Sequence, residues 1–167
     1  MIIKELLEQI IGVQKLYFIE QDKSAFDAAQ SMIKHKCGAL LVCENLIDKS
    51  LKGIITERDL AFKVVTNKLH PKKTKISNIM TKNVDVISEN KTALDAIGMM
   101  KKKGYRHLPV VAQSEVIGIL SMRDLYAVAN NQLQDSLKQH QEFLFPFLLL
   151  FLIKIPVSLC FQKRRHQ

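Results

Sequence analysis

The chain has 167 residues, 47% hydrophobic and 25% charged, with no Trp and a formal net charge of +9. A (β/α)8 barrel needs about 250 residues, so barrel enzymes and two-domain dehydrogenases are excluded, and the composition is globular rather than disordered. The charge is uneven: residues 1–133 hold 20 Lys+Arg against 14 Asp+Glu, while residues 134–167 hold five against two and carry five of the eight Phe.

A helix is expected over Ile2–Ile11, followed by a short β run at Leu16–Ile19. Ser24–Lys36 reads as an amphipathic helix with Ala25, Ala28, Ala29, Met32 and Ile33 on one stripe. Two apolar strands follow, Ala39–Cys43 and Leu51–Ile55, separated by turn-suited residues 44–50. A second helix is expected over Glu57–Lys68. His70-Pro71-Lys72-Lys73-Thr74-Lys75 forms a linker, and Ile76–Met80 a short helix matching the N-terminal one.

The same order then recurs. Val84–Ile87 is a β run, and Lys91–Lys103 a helix with Leu94, Ile97 and Met100 on its stripe. Leu108–Val111 and Val116–Leu120 are strands, and Met122–Leu133 a helix. The two halves are copies. At an offset of 68, seven of the 18 residues in Ala25–Val42 are identical in Ala93–Val110. At an offset of 65, Gly53, Ile54, Arg58, Asp59 and Leu60 recur as Gly118, Ile119, Arg123, Asp124 and Leu125. The change of offset is one deletion in the hairpin after Val110, where loops tolerate it. The expected fold is α/β of the α+β type: two β-α-β-β-α units packed sheet to sheet with pseudo-two-fold symmetry. The expected boundaries are 1–68, a linker 69–75, 76–135 and a tail 136–167. One unit of about 60 residues is marginal alone, and the cleft between copies is the natural ligand site.

Three cysteines, Cys37, Cys43 and Cys160, form no CxxC pair and no metal-ligand pattern. Buried thiols in a reducing compartment are expected. The N-terminus shows no secretory signal. In the tail, 15 of the 19 residues 143–161 are apolar, close to the roughly 20 that span a bilayer. Lys154, Pro146, Pro156 and the basic run Lys163-Arg164-Arg165 oppose a clean span. Spanning, lying on a membrane, packing on protein, or a tail grafted by frameshift all stay open.

The sharpest motif is Gly53-Ile54-Ile55-Thr56-Glu57-Arg58-Asp59, echoed by Gly118 through Asp124. Ser/Thr-x-x-Asp where a strand meets a helix is a capping box. The same geometry suits an anion at a helix start, a ribose diol on the Asp, and a phosphate on the forked Arg58 and Arg123. His35, His70 and His140 and the run Lys101-Lys102-Lys103 read as solvated. Six Lys and no acid between Leu60 and Val84 lack the interleaved aromatics of a nucleic-acid platform, so no nucleic-acid partner is expected.

These stretches, with Asp27-Ala28-Ala29, Gly38 through Val42, Ile79-Met80-Thr81 and Arg106 through Val111, resemble a tandem pair of CBS (cystathionine beta-synthase) domains, a Bateman module, over about residues 10–135. The resemblance implies AMP, ADP, ATP or S-adenosylmethionine as a regulatory ligand in two clefts. It assigns Asp59 and Asp124 to the ribose, and Thr56 and Ser121 to ribose or phosphate. Arg106 and His107 match phosphate-contacting strand-start positions, followed on the strand by Leu108 and Pro109. Copy one has Gly38 and Ala39 there instead, so unequal phosphate affinity is expected. Lys82 and Val84 match positions lining the adenine pocket. No nucleophile–base pair, metal cluster or acid/base set is visible, so a non-catalytic cytoplasmic regulator of a partner in trans, as a homodimer, is the expectation. The alternative is an interaction or membrane-docking module, attached through 143–161, without a physiological ligand.

Overall fold

Each copy opens its first helix on a hydroxyl cap. Ser24 caps Ala25–His35 (α2) and Thr92 caps Ala93–Lys103 (α5), each through an Asp three residues on. Both helices end on a left-handed residue, Lys36 at φ 52° and Gly104 at φ 78°, which turns the chain into the next strand. The computed structural model describes residues 1–8 and 15–153. It also contains α1 (Ile3–Leu6), β1 (Phe18–Glu20), β2 (Ala39–Cys43) and β3 (Leu51–Thr56). After these come α3 (Glu57–Asp59), continued by a π-helix Leu60–Val65, then α4 (Ile76–Ile79), β4 (Ile87–Ser88), β5 (His107–Ala112), β6 (Glu115–Ser121) and α6 (Met122–Ile153).

The strands form two three-stranded sheets, β1-β2-β3 and β4-β5-β6. In each, the outer strand runs parallel to the centre and the hairpin partner runs antiparallel. Both centre strands break register at the same duplicated position, Val42/Cys43 and Val110/Val111. The duplicated α+β pattern is thus present in both halves. All of β2 is buried, as its unbroken apolar run requires.

The short lead-in helices are exchanged. Copy two's α4 docks on copy one: the Ile76 and Ser77 amides donate to the Lys23 and Gln21 carbonyls, both at 2.9 Å. Ile76, Ile79 and Met80 complete a core with Ile19, Ala28, Leu40, Val42, Ile55 and Val64. The N-terminal segment docks on copy two, with Ile3 and Lys4 amides donating to Lys91 and Glu89 carbonyls at 2.8 and 2.9 Å.

Several expectations change. Ile33 and Leu94 lie off the buried stripes, each 78% exposed; Ala25, Ala28 and Met32, and Ala96 and Met100, carry the burial. The first strand of each copy sits further along the chain, at Phe18–Glu20 and Ile87–Ser88, where it finds parallel partners in β2 and β5. The helix expected over Glu57–Lys68 turns π after Asp59. Downstream side chains compete for its carbonyls: the Thr66 hydroxyl donates to Phe62 O and the Asn67 amide to Lys63 O. His35 stacks on Tyr17 at 4.0 Å rather than standing free in solvent. Cys43 is buried and Cys37 half-buried. The helix expected to stop at Leu133 runs to Ile153.

By compactness the chain divides into Met1–Leu125, which holds both sheets, and Tyr126–Gln167. Among the described residues no helix is long and apolar enough to cross a membrane. The readings that concern Gln9–Ile11 of the first helix, Lys154, Pro156, Cys160 and Lys163-Arg164-Arg165 lie outside the described residues, as do the side chain of His140 and the others of 139–153.

Candidate functional site

Thr56 ends β3 and Ser121 ends β6, and each closes a reciprocal box with the Asp three residues later. The Thr56 amide and hydroxyl donate to Asp59 Oδ2 at 3.0 and 2.6 Å, and the Asp59 amide returns to Thr56 Oγ1 at 3.2 Å. At Ser121 and Asp124 the same three distances are 2.9, 2.6 and 3.2 Å. The box alone distinguishes nothing, since Ser24–Asp27 and Thr92–Asp95 form it as well. In those two exposed boxes the hydrogen bonds from the cap residue hold the Asp carboxyl below its ordinary range, from the Ser24 hydroxyl first for Asp27 and from the Thr92 amide first for Asp95. What sets Asp59 and Asp124 apart is that they line cavities.

The larger cavity has a volume of about 760 Å³. Ser121, Arg123 and Asp124 enter it from the start of α6, facing Gly38 and Ala39 at the start of β2. The smaller, of about 260 Å³, takes Thr56, Arg58 and Asp59 from the β3–α3 turn and Val84 from the segment before β4. Arg106 and His107 line both. Each cavity is therefore built by both copies, and the motif of one faces the strand start of the other.

This crossing revises the expected source of inequality. The basic strand start of copy two reaches both cavities, so the Gly38-Ala39 substitution in copy one does not deprive one cavity of basic side chains. Lys82, Leu108 and Pro109 line neither cavity. Lys82 is exposed. Leu108 is fully buried opposite Leu120, and Pro109 is buried opposite Ile119, because the β5–β6 register puts both within the covered part of the sheet.

Charges cross between copies here. Arg106 Nη2 stands 3.4 Å from Glu57 Oε1, and Arg58 Nη1 donates to the Gly104 carbonyl at 3.2 Å. Burial holds the His107 imidazole below its ordinary pKa, and the neighbouring Arg106 adds to this. Gly38 lies against this arrangement: a Cβ there would be in ordinary contact, 3.4 Å from the Glu57 carboxylate and 3.5 Å from His107 Cε1. In the smaller cavity, burial pushes the Tyr105 phenol up, reinforced by Asp85. Tyr105, Asp85, Asn83 and Lys103 line the smaller cavity, and Glu57 and Cys37 the larger, although none of them was expected as a site residue; Lys103 was expected to be solvated and Cys37 a buried thiol. Tyr105 directly precedes Arg106 and Glu57 sits inside the Thr56–Asp59 motif, so adjacency was the available signal for those two. Among the described residues no group of three or more His, Cys, Asp or Glu is placed to hold a metal ion.

The family profile described as the CBS domain matches residues 7–66 and 76–130, one match for each copy. The chain belongs to the CBS domain family. The mitochondrial CBS domain-containing protein CBSX3 of Arabidopsis thaliana is 34% identical over 121 residues, covering 71% of this chain and 58% of that protein. Two other CBS domain-containing proteins of that plant are matched over 24% and 23% of their own lengths, so this chain spans about a quarter of them. The crystal structure of the CBS-domain protein ATU1752 from Agrobacterium tumefaciens superimposes with a TM-score of 0.71 at 30% identity, over 77% of this chain and 99% of that one. The CBS domain pair of protein MJ0100, solved in complex with 5'-methylthioadenosine and S-adenosyl-L-methionine, gives a TM-score of 0.67 at 26% identity, over 79% and 98%.

Proposed function

We propose that this CBS domain pair is a non-catalytic regulatory module that takes an adenosyl ligand in its two inter-copy cavities and acts on a partner in trans. The observation carrying the proposal is the crossed construction of each cavity. A capping box holds each carboxylate: Asp59 of copy one stands in one cavity with Arg106 and His107 of copy two, and Asp124 of copy two stands in the other with Gly38 and Ala39 of copy one. In this reading the carboxylate accepts ribose hydroxyls, and Arg58, Arg106 and Arg123 supply forked donors for phosphate. The two ligands bound by the MJ0100 domain pair both carry an adenosine group, which supports the class without choosing among AMP, ADP, ATP and S-adenosylmethionine. The larger cavity, at about 760 Å³, falls within the roughly 300–1,000 Å³ of small-molecule sites. The smaller falls just below it.

Because both copies contribute to each cavity, a ligand bridges them. It shifts the arrangement of the copies only by the difference in its affinity for the two states. Isothermal titration of the full chain with AMP, ATP and S-adenosylmethionine tests the proposal. Saturable heat with at least one of them is expected. No heat with any, from a chain that circular dichroism shows to be folded, overturns it.

A further inference from the structure

Asp59 and Asp124 are matched in sequence and in their caps, but their second carboxylate oxygens differ. Asp59 Oδ2 receives the Thr56 amide and hydroxyl, and Oδ1 is held by Lys63 Nζ at 2.7 Å. The same ammonium donates to the carbonyl of Ile79, the last residue of α4, at 2.7 Å. Asp124 Oδ2 is engaged in the same way by Ser121, yet among the described residues Asp124 makes no ion pair. The sequence gives the cause. At the offset of 65 that aligns the two motifs, the residue corresponding to Lys63 is Val128. Lys63 stands one helical turn after Asp59, where an ammonium faces the carboxylate. Lys63 itself does not line the cavity, whereas Asp59 does.

We infer that Lys63 is an internal competitor for Asp59 that weakens the smaller cavity for a ribose diol and leaves the Asp124 cavity as the tighter site. The inference rests on the adenosyl-ligand proposal above and deepens it. A diol arriving at Asp59 finds Oδ2 saturated by the cap and Oδ1 saturated by the ammonium. It must displace Lys63 or share its acceptor. Among the described residues only the cap engages Asp124, so Oδ1 is ready to accept. The tether also pins Asp59 to the end of α4, just before Thr81, which lines the same cavity and pairs with Ile54. Ligand at Asp59 therefore loosens a contact that joins the two copies, while ligand at Asp124 loosens none of this kind.

The test is calorimetric titration with AMP of full-length Asp124→Ala, in which Asp59 serves the remaining cavity, against the same variant carrying Lys63→Met or Lys63→Arg. Lys63→Met keeps most of the apolar stem and removes the charge. It is expected to tighten AMP binding by about two- to fivefold, the worth of a part-exposed ion pair. Lys63→Arg keeps the charge and is expected to leave affinity near that of Asp124→Ala, whereas a merely structural role for the stem predicts no difference between Lys63→Met and Lys63→Arg. In the Asp59→Ala background Lys63→Met should change nothing. Equal or weaker binding by Lys63→Met/Asp124→Ala overturns the inference alone if the wild-type chain binds AMP. A folded wild-type chain that binds no adenosyl ligand overturns the adenosyl proposal, and this inference with it.

Discussion

Four Ser/Thr-x-x-Asp boxes occur among the described residues, and hydrogen bonding alone does not separate them. Ser24–Asp27 and Thr92–Asp95 only start helices, whereas Thr56–Asp59 and Ser121–Asp124 also line cavities. The sequence picked out the second pair because each stands three residues after a Gly, at a strand-to-helix junction, and ends in an Arg–Asp step. It did not expose Tyr105 or Asp85, whose place in the smaller cavity depends on how copy two folds over copy one. His107 provides a test at this scale. Its burial lowers the folded pKa below the ordinary value of about 6.5. The unfolded chain therefore binds more protons between those two values, and stability falls as pH drops through that interval. Above about pH 6.5 this contribution is level. Urea unfolding of wild type and His107→Gln between pH 7.5 and pH 5 is expected to show a shallower acid loss in the variant; parallel curves would contradict the assignment.

Secondary structure followed the sequence closely where hydrophobic period and caps agreed, as in β2, α2 and α5. It departed where tertiary partners decided. The outer strands moved to where β2 and β5 could pair with them, and Ile33 and Leu94 lost their place on the buried stripes to smaller alanines. The π-turn after Asp59 came from Thr66 and Asn67 bonding to carbonyls one turn back, a competition that apolar periodicity does not register. At the same scale, Gly53 lets β3 run against the segment leading into copy two. A Cβ there would stand 2.8 Å from both Met80 Sδ and the Thr81 carbonyl oxygen. Met80 can turn aside, but the carbonyl belongs to the Ile54–Thr81 bridge. Gly53→Ala is expected to destabilise by about 1–3 kcal/mol, read as a lowered urea midpoint. Gly98, on α5 with nothing within 4 Å of its Cβ position, is the control: Gly98→Ala is expected to be neutral or to gain up to about 1 kcal/mol.

At the scale of the whole molecule the duplication is more than two stacked copies. The exchanged lead-ins and the crossed cavities make each copy incomplete without the other, which answers the marginal stability of a unit of about 60 residues. The repeat was legible from two runs of identities and one shifted offset. The exchange was not, because a four-residue helix carries no mark of which copy it will join. The excess of positive charge likewise divides, between a repeat region that places Arg58, Arg106 and Arg123 in its cavities and a tail, 134–167, with five Lys+Arg against two Asp+Glu. The central claim, that Asp59 and Asp124 anchor an adenosyl ligand, is tested most directly by titrating the full-length Asp59→Ala/Asp124→Ala chain with whichever adenosyl compound binds the wild type. Affinity is expected to fall by roughly tenfold or more, the worth of a hydrogen bond to a charged acceptor, while the chain still melts cooperatively. Unchanged affinity in the folded double variant would contradict the account.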